Sequence, residues 1–121
     1  MTADVTIYFN PKCSKCRLTL ELLEQAGQQA QIIEYLDTPP DAATLASILA
    51  MLGMEPRDLM RKKEAEYKEL NLANPDLTRD QLIAAMVSHP RLIERPIVVT
   101  GGKAALGRPP ESVLDILNGD R

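Results

Sequence analysis

The stretch that decides the fold is residues 5–17, which read VTIYFNPKCSKCR. Its first five residues alternate β-branched, polar and aromatic side chains, a pattern typical of a β-strand. Pro11 ends that strand, because a proline disfavours helical backbone in the residue before it. A helix is predicted to begin at about Ser14. Cys13 therefore lies between the end of a strand and the start of a helix.

The helix is predicted to run from Ser14 to about Ala26, and Gly27 follows as a stop signal. Three side chains are spaced to share one helical face, those of Cys16, Leu20 and Leu23. Residues 32–36 (IIEYL) then predict a second strand. A strand, a helix and a strand in so few residues predict a parallel pair joined by a right-handed crossover.

The middle of the chain has a helical pattern, from about residue 41 to residue 90. It follows a proline-rich turn at residues 38–41 (TPPD), and residues 78–81 (TRDQ) have the form of a capping box. One helical face is predicted to carry Leu45, Ile48, Leu49 and Leu52. We interpret this region as an insertion of three or four short helices within one domain, residues 1–121.

Strand character returns at residues 96–100 (PIVVT), and Gly101-Gly102 predicts a tight turn. Residues 103–106 should pair back antiparallel, and residues 109–111 (PPE) should open a last helix. Its buried face is predicted to carry Val113, Leu114 and Leu117. The element order predicts an α/β protein: a thioredoxin-like fold with a mixed four-stranded sheet and a helical insertion.

Bulk composition excludes several classes of protein. The 121 residues are 45% hydrophobic and 26% charged, which suits a folded domain, and the net charge of −3 argues against a general nucleic-acid binder. No apolar run approaches the length of a membrane span, and the N-terminus lacks the features of a signal peptide. We expect a cytoplasmic monomer that binds neither nucleic acid nor membrane.

Cys13 is the candidate nucleophile. Unpaired N–H groups and the dipole at a helix start favour a thiolate over a thiol, and nearby cations add to the effect. The candidate cations are Lys12, Lys15 and Arg17. The same N–H groups could bind an oxyanion. The plainer alternative is that Cys13 is a small structural hydrophobe.

Cys16 stands three residues after Cys13, and two interpretations of it are equally open. It could be a resolving thiol that forms a disulfide with Cys13, or a buried apolar side chain. A metal site is not expected, because four ligands are needed and the chain offers two cysteines and one histidine, His89.

Six segments, taken in their order and spacing along the chain, indicate a family. They are YFNPKC (8–13), YLDTPP (35–40), LMRK (59–62), YKELNL (67–72), ERPIVV (94–99) and GRPPE (107–111). Together they resemble the glutaredoxin-linked arsenate reductase family (ArsC/Spx-like), and within it the short YfgD-like bacterial branch. The resemblance extends from about Val5 to Leu117.

The resemblance implies a mechanism. The Cys13 thiolate would attack arsenate and form a covalent adduct, which glutathione as co-substrate and glutaredoxin as partner would resolve to arsenite, with no bound cofactor. The family's oxyanion-binding arginines would correspond to Arg61, Arg95 and Arg108. A guanidinium suits this role because it stays charged and its planar fork matches an oxyanion. The resemblance also implies a cis bond before Pro96.

Two departures from the family pattern keep alternatives open. Phe9 stands where these reductases usually have a histidine thought to lower the pKa of the cysteine, so activation must rest on the helix start and the cations. Cys16 gives a C-x-x-C that resembles Spx-like redox-sensing regulators, which bind RNA polymerase. Such a regulator is the alternative function, and a structural member without activity is the third; the match around Arg61 and Arg95-Pro96 favours the reductase.

Overall fold

The computed structural model describes residues 5–118, and the chain forms two compact units. The first unit combines the residues up to Thr38 with those from Arg95 onward, and the second is Pro39–Glu94. The insertion predicted at about 41–90 falls within the second unit. A single domain over residues 1–121 stays a prediction, and its two ends lie outside the described residues.

The first unit is built on a four-stranded sheet. Its strands are β1 (Thr6–Phe9), β2 (Gln31–Glu34), β3 (Ile97–Thr100) and β4 (Lys103–Leu106). Their order across the sheet is β2-β1-β3-β4; β2 runs parallel to β1, and the other two pairs are antiparallel. The predicted α/β class, with its mixed four-stranded sheet of thioredoxin type, is confirmed.

Helix α1 (Ser14–Gln25) connects β1 to β2 and packs on the sheet. Cys16 and Leu23 on its inner face are fully buried, together with Ile7 of β1 and Val98 of β3. After β4, a 3₁₀ turn at Pro110–Val113 leads into α5 (Leu114–Asn118), and Val113 closes the same core. Apolar burial of this kind is the main stabilising term, at roughly 25 cal/mol per Å².

The turn between β3 and β4 confirms the expectation from two adjacent glycines. Gly101 and Gly102 have φ angles of +56° and +77°, a left-handed backbone that an L side chain adopts at a cost. Two such residues in succession match the right-handed twist of a hairpin. The register places Thr100 opposite Lys103.

The second unit contains the predicted short helices. They are α2 (Ala42–Leu52), α3 (Ala65–Glu69) and α4 (Arg79–Ser88), with 3₁₀ turns at Pro56–Leu59 and Pro90–Leu92. Asp41 caps α2 by accepting a 2.8 Å hydrogen bond from the Thr44 N–H. The capping box predicted before α4 is present: Thr78 and Gln81 each bond the other's backbone N–H.

Two element boundaries differ from the sequence prediction. Strand β2 ends at Glu34, because the Glu34 carbonyl accepts hydrogen bonds from the N–H groups of Asp37 and Thr38 and so turns the chain. Leu36, predicted to lie in the strand, is part of that turn and is exposed. The last helix begins as a 3₁₀ turn at Pro110, so its regular α-helical part starts only at Leu114.

Gly107 lies where a side chain would collide with its neighbours. Its N–H donates a 2.9 Å hydrogen bond to the Pro96 carbonyl. A Cβ at this position would lie 2.5 Å from Oγ1 of Thr19 and 2.7 Å from Cγ of Pro96. The Thr19 hydroxyl cannot swing away cheaply, because it is fully buried and donates to the Lys15 carbonyl at 2.7 Å. Glycine is therefore required where β4 leads toward Arg108.

We predict that Gly107→Ala lowers the free energy of unfolding by about 1–3 kcal/mol through overpacking. Urea denaturation measures this. Thr19→Ala removes the closest side chain, so Gly107→Ala should cost less in a Thr19→Ala background than in the wild type. Strictly additive costs in the double-mutant cycle would show that the crowding against Thr19 is not the cause.

Candidate active site

Cys13 lies where β1 gives way to α1, as the sequence predicts. It is the N-cap residue of α1, with extended backbone. Asn10 shapes the turn that brings it there: its carbonyl accepts from the Cys13 N–H at 2.9 Å, and its side-chain oxygen accepts from the Lys12 N–H at 3.0 Å. Arg17 braces the same turn by donating to the Pro11 carbonyl at 2.7 Å.

The environment of the Cys13 sulfur favours the thiolate. Burial raises its pKa, since the residue is only 8% exposed, but four other contributions outweigh that effect. They are the N–H and the thiol of Cys16, the positive charge of Arg95 and the N–H of Lys15. The net pKa of Cys13 is lowered from its ordinary value. The Cys13 side chain makes no capping hydrogen bond to the first N–H groups of α1. These N–H groups therefore act on the sulfur through their aligned dipoles.

Cys16 differs from Cys13 in the net direction of its pKa shift. It is fully buried in the core cluster, and burial raises the pKa of its thiol to about 12. The negative charge of the neighbouring Cys13 raises it further, against hydrogen bonding from the Asn10 N–H. Both cysteines are free thiols. Cys13 therefore stays the candidate nucleophile of the pair, because its pKa is lowered while that of Cys16 is raised.

Arg95 and Arg108 belong to the same unit as Cys13 and are connected to each other. Nε of Arg108 donates a 2.8 Å hydrogen bond to the Arg95 carbonyl. The Arg95–Pro96 bond is cis, and so is the Arg108–Pro109 bond, which sequence analysis did not single out. Arg95 acts electrostatically on both cysteines. A positive charge from a residue remote in sequence thus reaches the predicted nucleophile.

Arg61 belongs to the second unit, where carboxylates surround it. Its Nη1 lies 3.0 Å from Oε2 of Glu64, and its Nε lies 3.9 Å from Oε1 of Glu94. The other oxygen of Glu64 accepts a 3.0 Å bond from Arg91. The Arg61 backbone is fixed as well, because its N–H donates to the Leu92 carbonyl at 2.7 Å.

The acidic partners of Arg61 were not predicted from the sequence. Glu64 stands three residues after Arg61, a spacing that fits the observed pair, but a charge pattern alone does not separate it from the chain's other acidic residues. Among the described residues, no three His, Cys, Asp or Glu side chains are grouped so that they could hold a metal ion. No helix within residues 5–118 is long and apolar enough to cross a membrane.

Comparison with known proteins extends the match over nearly the whole chain. The ArsC family matches residues 8–116. A protein of Escherichia coli strain K12 named "Uncharacterized protein YfgD" is 57% identical, covering 97% of this chain and 99% of its own. An arsenate reductase of Neisseria meningitidis serogroup A is 49% identical, covering 94% of this chain and 98% of its own. A solved structure of an arsenate reductase from Vibrio cholerae superposes with a TM-score of 0.93 at 54% identity, covering 96% of this chain and 99% of that one.

We predict that Arg95→Met raises the pKa of Cys13, because the substitution removes a positive charge that stabilises the thiolate. The thiolate fraction at a pH below the titration midpoint should fall by roughly tenfold, as expected for losing a nearby opposite charge. Thiolate absorbance at 240 nm measures it. Arg79→Met is the control, because it also removes a guanidinium but Arg79 pairs with Glu55 in the second unit. An equal change in both variants would contradict a specific role for Arg95.

Proposed function

Because the chain belongs to the ArsC family, we propose that it is an arsenate reductase in which the Cys13 thiolate attacks the arsenic atom. One observation carries this proposal: a cysteine with a lowered pKa caps the start of α1, within reach of the charge of Arg95. A thiolate, not a thiol, is the nucleophile in such chemistry. The relatives named arsenate reductase support the same substrate.

The first step forms a sulfur–arsenic bond and releases one arsenate oxygen as water. A first further thiol then bonds to the arsenic through its sulfur, and a second arsenate oxygen leaves as water. A second thiol attacks that sulfur and breaks the new sulfur–arsenic bond, whose electron pair stays on the arsenic and reduces it from the pentavalent to the trivalent state. We propose glutathione as the first thiol and glutaredoxin as the second, so that the two end as a mixed disulfide. Hydrolysis of the remaining sulfur–arsenic bond releases arsenite and restores Cys13.

Arg95 and Arg108 are proposed to bind the arsenate oxygens. An arginine is always charged and offers five N–H donors in a fixed plane, which suits a tetrahedral oxyanion. The bond from Arg108 to the Arg95 carbonyl links the two residues and limits how far either can turn. The same role for Arg61 is a proposal that rests on the resemblance of residues 59–62 to the family.

The remaining expectations accompany this function. A cytoplasmic monomer that needs no bound cofactor fits an enzyme whose electrons come from soluble thiols. The alternative of a Spx-like regulator would share the Cys13–Cys16 pair. Arsenate turnover separates the two, because a regulator that acts by binding RNA polymerase needs no turnover.

We predict that Cys13→Ser abolishes arsenate reduction. The assay couples glutathione and glutaredoxin to glutathione reductase and follows NADPH consumption. Serine is a favourable N-cap residue, so the variant should remain folded and the loss should be chemical. The background without protein is the control. Residual arsenate-dependent turnover in the variant, or none in the wild type with the full coupling system, would overturn the proposal.

We predict that Arg108→Lys raises KM for arsenate about tenfold, with a smaller change in kcat. Lysine keeps the charge but loses the planar fork that binds two oxygens at once. Arg79→Lys is the control, because Arg79 pairs with Glu55 in the second unit and should leave KM unchanged. The idea fails if the two lysine variants behave alike in steady-state kinetics.

A further inference from the structure

An open groove of about 530 Å³ lies beside the start of α1, within the first unit. It begins at the end of β1 and at Ser14, the residue that follows Cys13, and it continues along the helix. Its volume is typical of small-molecule sites, which range over about 300–1,000 Å³. Arg95 and Arg108 do not line it. The lining residues include Phe9, Ser14, Arg17, Leu18, Glu21 and Glu24.

Apolar side chains form one part of this groove. Leu18 is 50% exposed, an unusual degree for a leucine on a helix that packs on the sheet. Phe9, the last residue of β1, is largely buried and turns part of its surface to the groove. Such surface favours a ligand that carries methylene groups, because contact removes apolar area from water.

Arg17 and Glu21 add opposite charges to the groove. They are four residues apart on α1, a spacing that makes them neighbours on the helix surface, and both are exposed. Nη1 of Arg17 donates to the Pro11 carbonyl, but an arginine offers five N–H donors and this bond uses one of them. Adjacent positive and negative groups are complementary to a ligand that carries a carboxylate and an ammonium on one carbon atom.

Glutathione fits the groove in both charge and length. Its γ-glutamyl arm ends in a head group with one ammonium and one carboxylate, and methylene groups lead from there toward the cysteinyl sulfur. The separation between head group and sulfur is close to two extended residues, roughly 7 Å. Seen from Ser14, the Arg17–Glu21 pair is centred about five residues along α1, or roughly 7.5 Å. A head group bound by that pair therefore leaves the sulfur beside Cys13.

We propose that this groove is the glutathione subsite. Arg17 binds the γ-glutamyl carboxylate, Glu21 binds the ammonium, and Phe9 and Leu18 contact the methylene groups. The inference deepens the proposed function and rests on it for the choice of glutathione as the first thiol. The subsite delivers the glutathione sulfur to the arsenic on Cys13, in the step that releases the second arsenate oxygen as water.

Binding of S-methylglutathione, whose blocked sulfur cannot react, tests the subsite without arsenate. Arg17→Met and Glu21→Gln should each raise its Kd about tenfold in an NMR titration, as expected for losing a hydrogen bond to a charged group. Lys15→Met is the matched control, because Lys15 is an exposed cation of the same helix that does not line the groove. No binding to the wild type, or equal binding to Glu21→Gln, would overturn the proposal.

A second comparison separates recognition of the head group from general attraction of an anion. Glu21→Lys places a positive charge against the ammonium, so it should bind S-methylglutathione no better than Glu21→Gln does. N-acetyl-S-methylcysteinylglycine lacks the head group, and its Kd should be the same for the wild type and Glu21→Gln. Tighter binding of S-methylglutathione to Glu21→Lys than to the wild type would contradict the assignment, because glutathione carries a net negative charge.

Steady-state kinetics then identifies the occupant of the groove. Glu21→Gln should raise KM for glutathione about tenfold and leave KM for arsenate and for glutaredoxin near their wild-type values. A rise in KM for glutaredoxin alone would assign the groove to the protein thiol and overturn the proposal. Absence of arsenate turnover in the wild type would count against the proposed function, and the binding of S-methylglutathione would still decide this inference.

Discussion

The interaction between the Cys13 sulfur and the first turn of α1 is the one on which the rest of the site depends. Strand β1 ends at Phe9, and the turn at Asn10 then places Cys13 at the start of α1. Burial in the core cluster raises the pKa of Cys13. The N–H groups of the first turn, the Cys16 thiol and the charge of Arg95 together lower it by more. The helix start is held in place because Leu23, on the same inner face of α1 as Cys16, packs in one core cluster with Ile7 and Val98 of the sheet.

The cationic part of the site depends on the same scaffold. β3 begins directly after Pro96 and pairs with β1, which brings Arg95 near the Cys13 end of β1. β4 pairs with β3 and leads the chain back to Arg108, whose Nε donates a hydrogen bond to the Arg95 carbonyl. Gly107 permits this return, because no larger residue fits between Thr19 and Pro96. The pairing of β1, β3 and β4 thus brings the segments that carry Cys13, Arg95 and Arg108 together in the first unit.

Much of this could be predicted from the sequence, because the signals are local. Alternation at residues 5–9, the break at Pro11, the paired glycines at 101–102 and the capping box at Thr78 each fix a short stretch of backbone. The parallel pairing of β1 and β2 followed from the short crossover between them. Cys13 was identified because its position between a strand and a helix has chemical consequences that need no tertiary contact.

The remainder depends on contacts between distant residues, which no local pattern encodes. The end of β2 at Glu34 depends on a carbonyl bonded by two later N–H groups. The carboxylates around Arg61 and the crowding at Gly107 depend on packing. The opposite pKa shifts of the two thiols depend on packing as well, because burial raises the pKa of Cys16 while neighbouring N–H groups and Arg95 lower that of Cys13.

An ultraviolet titration of the wild-type thiols, with Cys13→Ser used to assign the signal, tests most directly whether the start of α1 activates Cys13. We expect one thiolate to form below the ordinary cysteine pKa and to disappear in Cys13→Ser, while the second forms only far above neutrality. A Cys13 thiol that titrates at or above the ordinary pKa would show that the start of α1 does not activate it.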